Sequence, residues 1–156
     1  MKIYLLRHGD AQPYMVNPER PLSEIGKQDV TKLGKFLKNT ALTVRHIWHS
    51  DKLRAKQTAE LISDFICSGD AVKQQNGLAP MDDVDFVKDQ IIHFQEDIML
   101  VSHLPFLDRM AASLLFDRNE LVFLQFKTAS MVCLERGNSP RDWYLKWFIS
   151  PQILTD

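Results

Sequence analysis

Cysteine is nearly absent, with only Cys67 and Cys133 among 156 residues. Each lies in an apolar stretch, and neither belongs to a Cys-x-x-Cys or Cys/His cluster. That argues against a disulfide-stapled scaffold and against a zinc site, and leaves two buried thiols in a reducing compartment as the expectation. Glycine and proline are sparse at six and seven, and there is no low-complexity tract or internal repeat, so a long linker or a disordered chain is not expected. No apolar run approaches the ~20 residues of a membrane span. Met1 to Arg7 reads as a strand rather than a secretory signal, so a cytoplasmic protein is expected. An excess of one charge is missing too. Nineteen Lys plus Arg face twenty Asp plus Glu, a net of -1, which gives no overall field to attract nucleic acid. With 45% hydrophobic and 25% charged residues, the chain has the composition of a single globular domain spanning residues 1–156.

What is present alternates between two periodicities. Lys2 to Leu6 is a short apolar run suited to a buried central strand. Beyond a loop with Pro13, Asn17, Pro18 and Pro21, Ser23 stands where a helix cap is needed. Ile25, Val30, Leu33, Phe36 and Leu37 follow at helical spacing to about Lys38. Val44 to Trp48 reads as a second strand, and Lys52 to Ile66 as a second helix with Leu53, Leu61, Ile62, Phe65 and Ile66 as its buried stripe. Ala71 to Gln75 reads as a weaker third strand. Asp82, Asp83 and Asp85 suit the start of a third helix, whose apolar face is Val84, Val87, Ile91 and Phe94. Ile98 to Val101 is another buried strand, and Pro105 opens a helix containing Leu107, Met110, Ala111, Leu114 and Leu115. The tail is strand-like at Leu121 to Phe126, Ser130 to Leu134 and Trp143 to Ile149. The alternation predicts an α/β fold: a three-layer α/β/α sandwich with a mostly parallel central sheet, helices on both faces and final antiparallel additions.

Ligands of open α/β sheets collect at the carboxyl ends of the strands. The first strand ends in Arg7-His8-Gly9, the second in His49-Ser50 with Arg54 just beyond, and the Ile98 strand in Ser102-His103. Two arginines and two histidines therefore converge on one edge, and guanidinium forks suit a phosphoryl group. Residues 1–58 carry 11 Lys plus Arg and 5 Asp plus Glu, a net of +6, against a net of -7 for the remainder. His49 reads as an exposed strand end, His46 and His93 as solvated or half-buried, and Trp143 and Trp147 as core.

Four motifs stand in order: Leu6-Arg7-His8-Gly9, Arg20-Pro21-Leu22-Ser23-x-x-Gly26, Ser50-x-x-x-Arg54-Ala55-x-x-Thr58 and Ser102-His103-x-Pro105. Together they resemble the signature series of the histidine phosphatase superfamily, the phosphoglycerate mutase-like fold, and most of all its short SixA-type bacterial phosphohistidine phosphatases. The resemblance implies that His8 is a nucleophile forming a covalent phosphohistidine. It further implies that Arg7, Arg54 and, if protonated, His103 bind the phosphoryl oxygens, and that Arg20, Gly9 and Ser102 complete the substrate site, with Gly9 turning the backbone tightly. No metal or cofactor is implied. The expected partner is a phosphohistidine-bearing protein of a phosphorelay or phosphotransfer system, approached by a monomer, with no nucleic acid or membrane involved.

One departure bears on the substrate. Relatives that cleave phosphate esters carry a Glu or Asp general acid after the third strand, where this chain has Asn76-Gly77-Leu78-Ala79-Pro80. Asp82, Asp83 and Asp85 come slightly later, so the acid is unassigned, and a labile P–N bond is favoured over an ester. A phosphatase for small metabolites and a non-catalytic phosphoprotein-binding module remain open as alternatives.

Overall fold

In the computed structural model, residues 1–66 and 72–155 are described. Cys67, and Ala71 at the head of the expected third strand, lie outside them. Four strands, β1 (Lys2–Arg7), β2 (His46–His49), β3 (Val72–Gln74) and β4 (Ile98–Ser102), pair in parallel, while β5 (Met131–Arg136) and β6 (Trp143–Ile149) add antiparallel. The sheet order is β3-β2-β4-β1-β5-β6. The expected mostly parallel α/β sheet is therefore what forms, with β1 and β4 adjacent at its centre.

Successive side chains of β1 point to opposite faces. Ile3 and Leu5 join Leu100 in a core with α3 (Val84–Ile91) and α4 (Phe106–Phe116). Tyr4 and Leu6 join Met99 and Val101 in a second core with α1 (Glu24–Asn39) and α2 (Leu53–Ile66). One helix pair thus covers each face. Because β1 and β4 are apolar on both faces, they must be central, and their carboxyl ends meet.

The expected stripes are right in phase but too wide. Ile25 and Phe36 are 64% and 39% exposed, and α1 instead buries Gly26, Val30, Leu33, Gly34 and Leu37. On α2 the buried set is Ala55, Thr58, Ala59, Ile62 and Ile66, while Leu53, Leu61 and Phe65 are half-buried. Small residues occupy the centre of this contact because α1 and α2 approach closely, which pushes larger side chains to the flanks. Leu121 to Phe126 forms no strand. Its last residue is buried against Phe148, with ring centroids 5.5 Å apart, so the aromatic content serves core packing rather than a ladder.

Ser23 caps α1, accepting from Gly26 N at 3.0 Å. The loop before it is fastened at both ends. Ser23 N donates to Asp10 O at 2.9 Å, Ser23 Oγ donates to Asp10 Oδ2 at 2.5 Å, and Ala11 bridges Leu22. A Cβ on Gly26 would stand 2.1 Å from the Asp10 carbonyl oxygen, a backbone atom with little freedom to yield. Gly26→Ala is therefore expected to lower stability by about 1–3 kcal/mol through overpacking, measured by urea unfolding. An unchanged midpoint would show that the loop tolerates displacement.

Candidate active site

The register of the sheet builds the site. Arg7 is paired with Ser102, and His49 with Val101, so the residues just beyond β1, β2 and β4, namely His8, Ser50 and His103, become neighbours. His8 N donates to Ser102 O at 3.0 Å and Ala129 N donates to His8 O at 3.1 Å, fixing the His8 backbone between β4 and the loop leading to β5. The His8 and His103 ring centroids are 4.9 Å apart.

His8 Nδ1 lies 2.7 Å from Gly9 O. A carbonyl can only accept, so Nδ1 carries the proton and Nε2 keeps its lone pair. Arg54 Nε donates to that Nε2 at 3.3 Å, a long and displaceable bond. Burial first, then the charges of Arg54, Arg7 and Arg20, bring the His8 pKa down to about 4, against the opposing pull of the Gly9 hydrogen bond. The ring is thus neutral at physiological pH, with its nucleophilic nitrogen facing the guanidiniums.

Gly9 acts through space rather than through an unusual turn. Its φ is outside the left-handed region, but a Cβ there would lie 2.9 Å from Gly26 O and 3.0 Å from Val30 Cγ2. Gly9 N donates to Thr58 Oγ1 at 3.0 Å, and Thr58 Oγ1 donates to Arg54 O at 2.8 Å. One hydroxyl therefore links the nucleophile's loop to the first turn of α2, which carries Arg54.

His103 is 2% exposed. Its Nε2 shares a 2.5 Å hydrogen bond with Ser50 Oγ, which also accepts from Lys52 N at 3.3 Å. Burial, followed by the charges of His8, Arg54, Lys52 and Arg7, lowers its pKa to about 3. His103 is therefore neutral at physiological pH. Arg7 Nη1 donates to Phe126 O at 2.7 Å, which tethers one edge of the guanidinium. Arg20 donates from Nε to Gln12 O at 3.1 Å and has a left-handed φ of 50°, a conformation costly for a non-glycine residue. Its charge lowers the pKa of both His8 and Arg54.

Ser102 Oγ donates to Leu78 O at 2.7 Å, while its carbonyl holds His8. His49 is 4% exposed, not an exposed strand end, and its Nδ1 lies 2.8 Å from Ser50 O. Among the acids after β3, Asp82 accepts from Ala79 N at 2.8 Å and Asp83 caps α3 by accepting from Asp85 N at 3.1 Å. Ser50 and Thr58 stood in the motifs without an assigned function, and Asp108, a buried carboxylate near Arg7, gave no signal beyond an acidic first turn of α4. A cavity of about 690 Å³ lined by Lys2, Tyr4, Phe36 and Trp147 lies at the amino end of β1 and contains none of these groups. No helix among the described residues is long and apolar enough to cross a membrane.

Both histidines are neutral when folded and bind protons more readily when unfolded, near pH 6.5. Acidification from pH 6.5 toward pH 4 therefore favours the unfolded chain. Between pH 7 and pH 5 each histidine is expected to cost about 2 kcal/mol of stability. Urea unfolding at the two pH values should show a drop that is largely absent from a His8→Asn/His103→Asn variant; equal drops would contradict the neutral assignment.

Comparison with known proteins agrees with this geometry. The sequence profile of the histidine phosphatase superfamily (branch 1) matches residues 3–82. The chain is 25% identical over 150 residues, 93% of each protein, to phosphohistidine phosphatase SixA of Escherichia coli (strain K12). In structure it is similar to the protein histidine phosphatase SixA complexed with tungstate, with a TM-score of 0.87, 23% identity and coverage of 97% and 98%. A phosphoserine phosphatase variant from Entamoeba histolytica, in complex with phosphoserine, superposes with a TM-score of 0.74 at 15% identity, covering 97% and 98% of the two chains. The structural likenesses establish the phosphoglycerate mutase-like fold, and the profile, spanning Arg7-His8-Gly9, Arg20 and Arg54, establishes the family. With the profile match over residues 3–82 and the fold in agreement, the chain belongs to the histidine phosphatase superfamily, branch 1.

Proposed function

We propose that this chain is a phosphohistidine phosphatase acting on a phosphorylated partner protein, as a single catalytic domain over residues 1–156. The observation that carries the reading is the polarity of His8: Nδ1 is committed to Gly9 O, and Nε2 is an unprotonated lone pair among arginines. A phosphoryl group entering the cup takes over the Arg54 contact. Nε2 then attacks phosphorus as the substrate's P–N bond breaks, and the departing imidazole takes up a proton from solvent. Water next attacks the phosphorus on His8, releasing inorganic phosphate and restoring the neutral ring. Arg7, Arg20 and Arg54 offset the negative charge on the equatorial oxygens without a metal ion, with His103 donating once the dianion is present.

Two features favour phosphohistidine over an ester. Asp82 and Asp83 each accept from a backbone donor of their own loop and Asp85 is exposed in the first turn of α3, which supports weak acid provision, a handicap for an alkoxide leaving group. Tyr14, Met15 and Val16 are 65%, 92% and 70% exposed on the loop leading to Arg20, an apolar rim better suited to a protein surface than to a small metabolite.

The decisive test compares purified protein on a phosphohistidine-bearing protein and on small phosphomonoesters such as phosphoserine. Faster turnover of the esters would reverse the assignment, and phosphate held on His8 without turnover would favour a binding module. His8→Ala is expected to lose turnover by at least about 10³-fold while retaining the fold and phosphate binding. Met15→Asp should reduce kcat/KM several-fold for the protein substrate and leave hydrolysis of a free phosphoramidate unchanged; equal losses on both would mean that the rim does not dock the partner.

A further inference from the structure

Three buried side-chain polar atoms have no hydrogen-bond partner among the described residues: Arg7 Nε, His103 Nδ1 and Asp108 Oδ1. Two belong to the cup. The third belongs to the one acidic side chain buried among the described residues, Asp108, which is 6% exposed. Asp108 lies in the first turn of α4, and α4 packs on β1, whose last residue is Arg7. Asp10 accepts from Ser23, Asp82 from Ala79 N and Asp83 from Asp85 N, and none of the three is buried. Asp108 alone combines burial, an unspent oxygen and a cup arginine as its electrostatic partner.

A buried carboxylate is unfavourable unless a positive group offsets it. The α4 N-terminus contributes a little. Burial raises the Asp108 carboxyl while Arg7 opposes the rise, and burial lowers the Arg7 guanidinium while Asp108 opposes the fall. Each group helps to keep the other ionised. The same charge has a second effect. Three arginines converge on a pocket whose product is a phosphate anion, and a cup that binds its product as firmly as its transition state turns over slowly.

We propose that Asp108 is a counter-charge to the Arg7 arm of the cup, sustaining the buried guanidinium in the empty site and weakening the hold on phosphate so that the product leaves. It touches neither substrate nor reacting atoms and is a positioning residue acting through Arg7. The proposal rests on the phosphoryl-binding assignment of Arg7 made above.

The test is calorimetric titration of the full chain with tungstate at pH 8, wild type against Asp108→Asn, with thermal unfolding measured alongside. Asparagine keeps the shape and one acceptor oxygen and removes the charge. Asp108→Asn is expected to bind tungstate about ten-fold more tightly, with product inhibition by inorganic phosphate strengthened in parallel. A merely structural role predicts the opposite sign, since a disordered Arg7 binds anions less well. Unchanged or weaker tungstate binding overturns the proposal, and Asp108→Ser is judged by the same outcomes if the asparagine variant does not fold. Failure of the underlying reading looks different: wild-type protein that binds no tungstate removes the cup and the counter-charge together.

Discussion

The hydrogen bond from His8 Nδ1 to Gly9 O is the contact on which the site depends. It orients the ring and selects the tautomer, leaving Nε2 available for attack. By itself it would also raise the histidine's proton affinity, the wrong direction for a nucleophile. Burial outweighs it, and the surrounding guanidiniums add to the same side. The neighbouring ring enforces the outcome: two charged imidazoles about 5 Å apart would repel by about 3 kcal/mol at an effective dielectric constant near 20. A crowded cationic pocket therefore keeps its histidines neutral until an anion arrives, and the arriving phosphoryl dianion supplies the missing counter-charge.

Such a pocket demands a scaffold that holds like charges together, and the parallel register provides it. With Arg7 opposite Ser102 and His49 opposite Val101, a one-residue slip would send every side chain to the other face and dissolve both cores along with the site. The loops are secured by bonds that cross between elements. Thr58 joins Gly9 to Arg54, Gln57 Oε1 accepts from Leu22 N at 2.7 Å, and Asp10 holds Ser23. Together they oppose the repulsion that would otherwise drive Arg20 and Arg54 apart.

Sequence reading succeeded where local periodicity and topology coincide. Apolar runs located the central strands, and their carboxyl ends bring Arg54 to His8 and set the His8 and His103 rings 4.9 Å apart. It failed where the deciding contact is long-range. Ile25 and Phe36 have helical phase but lie beside an α1–α2 contact narrowed by small residues. Leu121 to Phe126 has strand composition, yet Phe126 is drawn into the core and its carbonyl is taken by Arg7. His49 is buried, which no local pattern reveals. Asp108 looks like any acid at a helix start until β1, about a hundred residues earlier in the chain, is brought beside it.

The fold constrains the chemistry unevenly. Membership of the histidine phosphatase superfamily makes the chain a phosphatase by family and leaves the leaving group open. Discrimination must come from whatever delivers a proton on the far side of phosphorus. An alkoxide leaves only with strong acid assistance, whereas the imidazole of phosphohistidine is a far weaker base and departs with less. In this chain Asp82 and Asp83 accept from backbone donors of the loop after β3, and the buried carboxylate, Asp108, is engaged electrostatically with Arg7. Under the proposed function, proton delivery is the scarce resource in this pocket, and a substrate with a labile P–N bond is the one that such scarcity least hinders.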